Sequence, residues 1–180
     1  MARRELNATA ASLLGLLHDG ELAGWDLVTH AQDRIGNFWT LTQSQVYREL
    51  ARMTDDGLVT VGDPGPRDRK PYRITEAGRR AFHEWINGDP AHDQIRVPLL
   101  LTILFSGHLE PGRLAEILAA ERATHASKLA AYLEHEKALA NTPGEAVRLA
   151  TLRFGIRHEQ AALDWFDELP DLLSATTPQP

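Results

Sequence analysis

The chain has 180 residues, with 19 Lys and Arg against 25 Asp and Glu, a formal net charge of −6, and no cysteine. That length can bury a real core in one domain or two small ones. The missing cysteine excludes disulfides, thiolate zinc sites and cysteine nucleophiles, and the acidic balance means that any nucleic-acid contact must come from a local basic patch.

Thr9–His18 reads as an apolar helix, with Leu13, Leu14, Leu16 and Leu17 around much of its circumference, closed by Asp19-Gly20. Such a helix is expected to be buried. Glu21–Gly24 reads as a turn. Trp25–Arg34 is the next helix, with Leu27, Val28, Ala31 and Ile35 on one face and Gly36 at its end. Phe38–Gly57 follows as a helix with two faces. Val46, Leu50 and Met53 fall at i, i+4 and i+7 and should meet a core. Ser44, Gln45, Arg48 and Arg52 fall on the other side and carry hydroxyl, amide and guanidinium groups. Base edges and phosphates accept those groups. Thr42 is a suitable N-cap and Gly57 a suitable residue just past the end.

The period then changes. Leu58–Val61 is β-rich and runs into Gly62-Asp63-Pro64-Gly65-Pro66, a loop by composition that continues through Arg67–Pro71. Tyr72-Arg73-Ile74 is a returning strand. The segment Arg67–Arg80 holds six basic residues against two acidic ones, so the hairpin has a charged tip. Thr75 caps a further helix to Ile86, with Glu76 near its positive end and Ala77, Ala81, Phe82 and Trp85 as apolar positions. Helix, turn and polar helix followed by a hairpin make a winged helix-turn-helix.

Residues 87–93 read as a linker. Residues 94–106 are densely apolar (Ile95, Val97, Leu99–Leu101, Ile103–Phe105) and are expected to form a buried helix, too short to span a membrane. A long helix is expected from Pro111 to about Asn141, its positions Leu114, Leu118, His125, Leu129, Tyr132 or Leu133 and Leu139 repeating at close to 3.5 residues. The last helix is expected over Glu145–Leu169. Leu149, Leu152, Ile156, Leu163 and Phe166 form one apolar face; Val147, Phe154, Ala161, Ala162 and Trp165 form another. A helix apolar on two sides needs two partners, its own long neighbour and a second copy of the chain. Residues 171–180 read as a frayed tail. The expected fold is therefore mainly α with a small β-hairpin: a winged helix-turn-helix domain (1–88), then an all-helical dimerisation domain (92–170).

The motifs Leu14-Gly15-Leu16-Leu17, Gly24-Trp25-Asp26-Leu27, Phe38-Trp39, Gln45–Leu50, Asp56–Val59 and Tyr72–Gly78, in this order, resemble the PadR family of bacterial transcriptional regulators. The family more often has tyrosine at the Trp25 position. The run Leu152–Glu159 is also similar to the C-terminal helical region through which the larger members dimerise. The resemblance implies DNA binding, repression, and release by a small aromatic or phenolic effector. Tyr47 stands where the family places a tyrosine facing DNA.

These readings assign direct base readout to Ser44, Gln45 and Arg48, with Gln43 beside them. Phosphate contacts fall to Thr40, Thr42, Tyr47 and Arg52 and to Arg67, Arg69 and Lys70 in the wing. Dimerisation falls to Leu149, Leu152, Phe154, Ile156, Leu163, Trp165 and Phe166. The expected partners are double-stranded DNA carrying an inverted repeat with half-sites about 34–36 Å apart, or a multiple of that, and a second copy of the chain. Trp39, Phe105, Tyr132, Phe154 and Trp165 are aromatic candidates for an effector pocket, though each reads first as a packing residue. The eight histidines form no metal-ligand spacing, and phosphate loops and nucleophile elbows are absent from the sequence, so no cofactor, metal or enzyme activity is expected. No apolar run approaches about 18 residues and no signal core follows Arg3 and Arg4, so the expected setting is soluble and cytoplasmic. Two further readings stay open: a helical interaction module whose winged helix binds protein, favoured by the net acidity, and a helical small-molecule binder.

Overall fold

The computed structural model describes residues 5–63, 65, 69–92 and 95–174. Arg67 of the expected wing, Asp93 of the expected linker and residues 175–180 of the expected tail lie outside the described residues. The chain divides into two compact units, Met1–His92 and Asp93–Pro180.

The first unit runs α1 (Ala8–Leu16), a single tight turn at Leu17–Asp19, β1 (Leu22–Ala23), α2 (Gly24–Ile35), α3 (Gln43–Asp55), β2 (Val59–Val61), β3 (Pro71–Ile74) and α4 (Glu76–Ile86). Asn7 starts α1 by accepting from the Ala10 amide at 2.8 Å. Leu13, Leu14 and Leu17 of the first segment meet Leu27 of α2, Val46, Leu50 and Met53 of α3, and Val59 of β2 in one buried cluster. The apolar spacing along each helix is thus what packs the three helices on one another.

Glu21–Gly24 departs from the expected turn. Leu22 and Ala23 form a two-residue strand that pairs antiparallel with Tyr72 and Pro71 of β3. On its other side β3 pairs with β2 in the register Val59–Ile74, Thr60–Arg73 and Val61–Tyr72, which gives the sheet order β1-β3-β2. Two residues carry no alternation to read, so this strand exists only through its partner. Gly78 closes the unit. Thr75 caps α4 by accepting from the Gly78 amide at 3.0 Å and donates to the Gly57 carbonyl at 2.8 Å. A Cβ on Gly78 would lie 2.2 Å from the Leu58 carbonyl oxygen, so only glycine lets α4 seat this close to β2.

The second unit holds α5 (Pro98–Leu104), α6 (Arg113–Leu139) and α7 (Ala146–Ser174). α6 and α7 pack along each other, with Leu139, Leu152, Leu163, Phe166 and Leu169 buried. Among the described residues Arg122–Asp167, His125–Glu159 and Glu136–Arg153 pair between them. Two expectations change here. Among the described residues of the apolar run at 94–106, only Pro98–Leu104 form an α-helix, seven residues with none buried, and Leu104 is 73% exposed. Apolar composition says that a segment wants cover; it does not say that the same chain provides it. The helix α7 also continues through Pro170 to Ser174, so residues 171–174 are helix and not a frayed tail. Among the described residues no helix is long and apolar enough to cross a membrane.

Candidate nucleic-acid interface

The helix α3 is fixed at both ends by its own sequence. Thr42 accepts from the Gln45 amide, and the Gln45 side chain accepts from the Thr42 amide at 2.8 Å, a reciprocal capping box. At the other end the Leu58 amide donates to Met53 and the Gly57 amide to Thr54, with Gly57 at φ 69. This is a Schellman stop, and the left-handed conformation it needs is what glycine supplies.

Between these ends the helix presents one face. Thr40, Thr42, Gln43, Ser44, Tyr47 and Arg48 are exposed, while Val46, Leu50 and Met53 are buried. Two of the expected readers are differently placed. Gln45 is half-buried and engaged in the capping box, which takes its carbonyl oxygen out of the readout set. Arg52 is half-buried too. It reaches back one turn to Glu49 at 2.9 Å, and its Nε is buried without a hydrogen-bond partner. In this structure the Arg52 guanidinium, with its side chain 31% exposed, pairs with Glu49 on its own helix.

Glu49 is the residue that the sequence reading missed. It is 8% exposed, and its carboxylate takes both the Arg52 guanidinium and the Asn7 amide group, at 3.4 and 3.5 Å for the latter. Asn7 thus caps α1 with its oxygen and holds α3 with its nitrogen. The signal was present: Glu49 falls at i+3 from Val46, on the apolar stripe.

In the wing, Arg69 and Lys70 are both exposed. Arg69 lies 3.7 Å from Asp26 in the first turn of α2. One residue beyond the Leu22–Tyr72 pair, Arg73 of β3 meets both carboxylate oxygens of Glu21, at 3.0 and 3.1 Å. Tyr72 is half-buried, and burial first and the neighbouring Tyr47 second push its phenol above the usual value. Trp25 stands 53% exposed at the start of α2. Among the described residues no group of three or more His, Asp or Glu could hold a metal ion.

The residues assigned to dimerisation split. Leu152, Leu163 and Phe166 are buried within this chain, Leu149, Ile156 and Trp165 are half-buried, and Phe154 is 65% exposed with Val147 also open.

A helix-turn-helix whose second helix shows a polar N-terminal half, followed by a β-hairpin wing, defines the winged-helix class of DNA-binding proteins. The particular family follows from comparison with known proteins. Residues 13–84 match the model of the Transcriptional regulator PadR-like family, and residues 95–174 match Virulence activator alpha C-term. The "Probable transcriptional regulator Rv1176c" of Mycobacterium tuberculosis is 30% identical over 169 residues, covering 84% of this chain and 89% of that protein. The Negative transcriptional regulator PadR of Bacillus subtilis is 33% identical over 98 residues, covering 52% of this chain; the match spans 54% of that relative's length. The chain belongs to the PadR-like family of transcriptional regulators.

Solved structures agree on the fold. Bacillus subtilis PadR in complex with operator DNA superposes with a TM-score of 0.77 at 21% identity, covering 94% of this chain and 99% of that one. The Vibrio cholerae virulence activator AphA gives 0.76 at 28% identity, covering 94% and 100%. Bacillus subtilis PadR in complex with p-coumaric acid gives 0.70 at 23% identity, covering 93% and 99%.

Proposed function

We propose that this regulator is a homodimeric repressor which binds an inverted-repeat operator and releases it when a small aromatic effector binds. Residues 1–88 would read DNA and residues 92–170 would hold the dimer. One observation carries the reading: Thr42, Gln43, Ser44, Tyr47 and Arg48 lie exposed on the N-terminal half of α3, in the unit whose hairpin exposes Arg69 and Lys70. Short polar groups and one guanidinium on the second helix suit major-groove edges, and wing cations suit the flanking phosphates.

Dimerisation is supported by the uncovered apolar residues of the second unit, with Phe154 and Val147 on α7 and Leu101, Leu104 and Phe105 around α5 all exposed. Such a surface is costly to leave in water. An aromatic effector is suggested by the resemblance to the family and by the p-coumaric acid complex of Bacillus subtilis PadR, a structure with this fold. Trp39, Phe105, Tyr132, Phe154 and Trp165 remain the aromatic candidates for this chain. A DNA partner implies a cytoplasmic setting.

The net charge of −6 favours one other reading, a winged helix that docks on protein. A mobility-shift titration with the DNA upstream of the protein's own gene, run beside light scattering, separates the two. A shifted band at low salt from a dimeric species supports the repressor reading. A dimer that shifts no DNA supports the interaction module, and a monomer that shifts DNA removes the proposed assembly.

A further inference from the structure

Among the described residues, five arginines of the unit that carries the basic patch are paired with carboxylates. Arg34 meets Asp19, Arg52 meets Glu49, Arg69 meets Asp26, Arg73 meets Glu21 and Arg80 meets Glu76. Most of these lie where a surface pair is common, and such pairs contribute little to stability. The Arg69–Asp26 pair differs in position. It joins the wing to the first turn of α2, and in a helix-turn-helix the helix before the reading helix crosses the DNA backbone. A carboxylate at that point occupies ground that suits a phosphate. The N-terminus of α2 has no side-chain cap, so its free amides present a positive end there.

We propose that Asp26 is a resident phosphate surrogate: it engages Arg69 in the free protein and must yield that guanidinium to a backbone phosphate when DNA arrives. This rests on the DNA-binding reading. Both partners are accessible enough for the exchange, with side chains 53% and 37% exposed, and at 3.7 Å the pair is loose. Asp26 also retains the favourable positive end of α2 once Arg69 leaves, so the exchange does not strand a carboxylate. The consequence is a tax on affinity that is independent of sequence. It lowers binding to every duplex alike and leaves discrimination to the exposed residues of α3, which suits a regulator that must let go.

The test is a salt titration of binding to operator and to unrelated duplex, using wild type, Asp26→Asn, Arg69→Ala and the double variant. Asp26→Asn is expected to bind both duplexes several-fold more tightly at low salt. That gain should shrink as salt rises, because salt screens the Asp26–Arg69 pair whose loss produces it. Arg69→Ala should flatten the log–log salt dependence by about 0.9 per protomer, the loss of one phosphate contact. The gain must vanish in the double variant, because it runs through Arg69. If Asp26 only orients Arg69, Asp26→Asn binds more weakly to both duplexes and the proposal falls. A gain that does not shrink with salt, a gain that survives without Arg69, or a salt slope left unchanged by Arg69→Ala also overturns it. Asp26→Ser carries the same expectation should the asparagine variant unfold. Wild type that binds no duplex at low salt would instead sink the DNA-binding reading, and this proposal with it.

Discussion

The phenol ring of Tyr47 lies so close over Gly24 that a Cβ there would sit 2.6 Å from ring Cε1 and 2.9 Å from Cζ. The first residue of α2 is therefore the seat for an aromatic side chain of α3. One ring therefore ties the start of α2 to the reading helix. Gly24→Ala must either push the ring outward or strain both helices. We predict a loss of roughly 1–3 kcal/mol in denaturant unfolding, as for other overpacked sites. Unchanged stability together with unchanged DNA affinity would show that the contact carries nothing.

On the reading face, Arg48 and Lys70 should separate specificity from affinity. Arg48 is exposed one turn into α3, where a guanidinium can reach a base edge. Arg48→Ala is predicted to cost roughly 1–3 kcal/mol at one base position and to relax the preference there. Lys70→Ala should weaken binding to all sequences alike and flatten the salt dependence. Competition titrations against single-base operator variants decide it; equal losses at every position for Arg48→Ala would remove its role as reader.

The sequence was legible where local chemistry and periodicity agree. Thr42, Gly57 and the Val46–Leu50–Met53 stripe set the ends and the buried face of α3, and the structure keeps all three. It was less legible where a residue's role depends on something distant in sequence. Leu22-Ala23 becomes a strand only because Tyr72 and Pro71 lie beside it. Glu49 carries a polar role inside the apolar stripe because Asn7, 42 positions away, lies against it. The α5 run shows a third limit: its leucines mark a surface that needs cover, while periodicity is silent on what covers it.

Two tyrosines are expected to make stability fall in alkali. Burial, then the neighbouring Tyr47, raises the phenol of Tyr72; burial, then the charge of Glu159, raises that of Tyr132. Above pH 10, the ordinary value, the unfolded chain gives up these protons before the folded one does. The folded state then binds more protons, so stability falls as pH rises through that window and is unaffected by these groups below it. Tyr72→Phe and Tyr132→Phe should each flatten the alkaline limb of a stability–pH curve measured by chemical denaturation. Parallel alkaline limbs for wild type and both variants would contradict the assignment.

The pairs between α6 and α7 should differ sharply in what they contribute. Glu159 is 4% exposed, its Oε2 lies 2.5 Å from His125 Nδ1, and the His125 ring packs on Phe166 at 5.6 Å between centroids. Arg122 and Asp167 are 2.8 Å apart with side chains 48% and 62% exposed. Removing one partner of a buried pair leaves the other without its hydrogen bond in a poorly solvated place, which costs on the order of 3 kcal/mol. Breaking an exposed pair costs about 0–1 kcal/mol. Glu159→Ala should therefore destabilise the chain far more than Asp167→Ala does. Glu159→Gln, which keeps the shape and a hydrogen-bonding group, should fall between them. Urea unfolding followed by helix content reads all three. Equal losses for Glu159→Ala and Asp167→Ala would mean that Glu159 is solvated in the working protein and that the hairpin is held by its leucines and Phe166 alone.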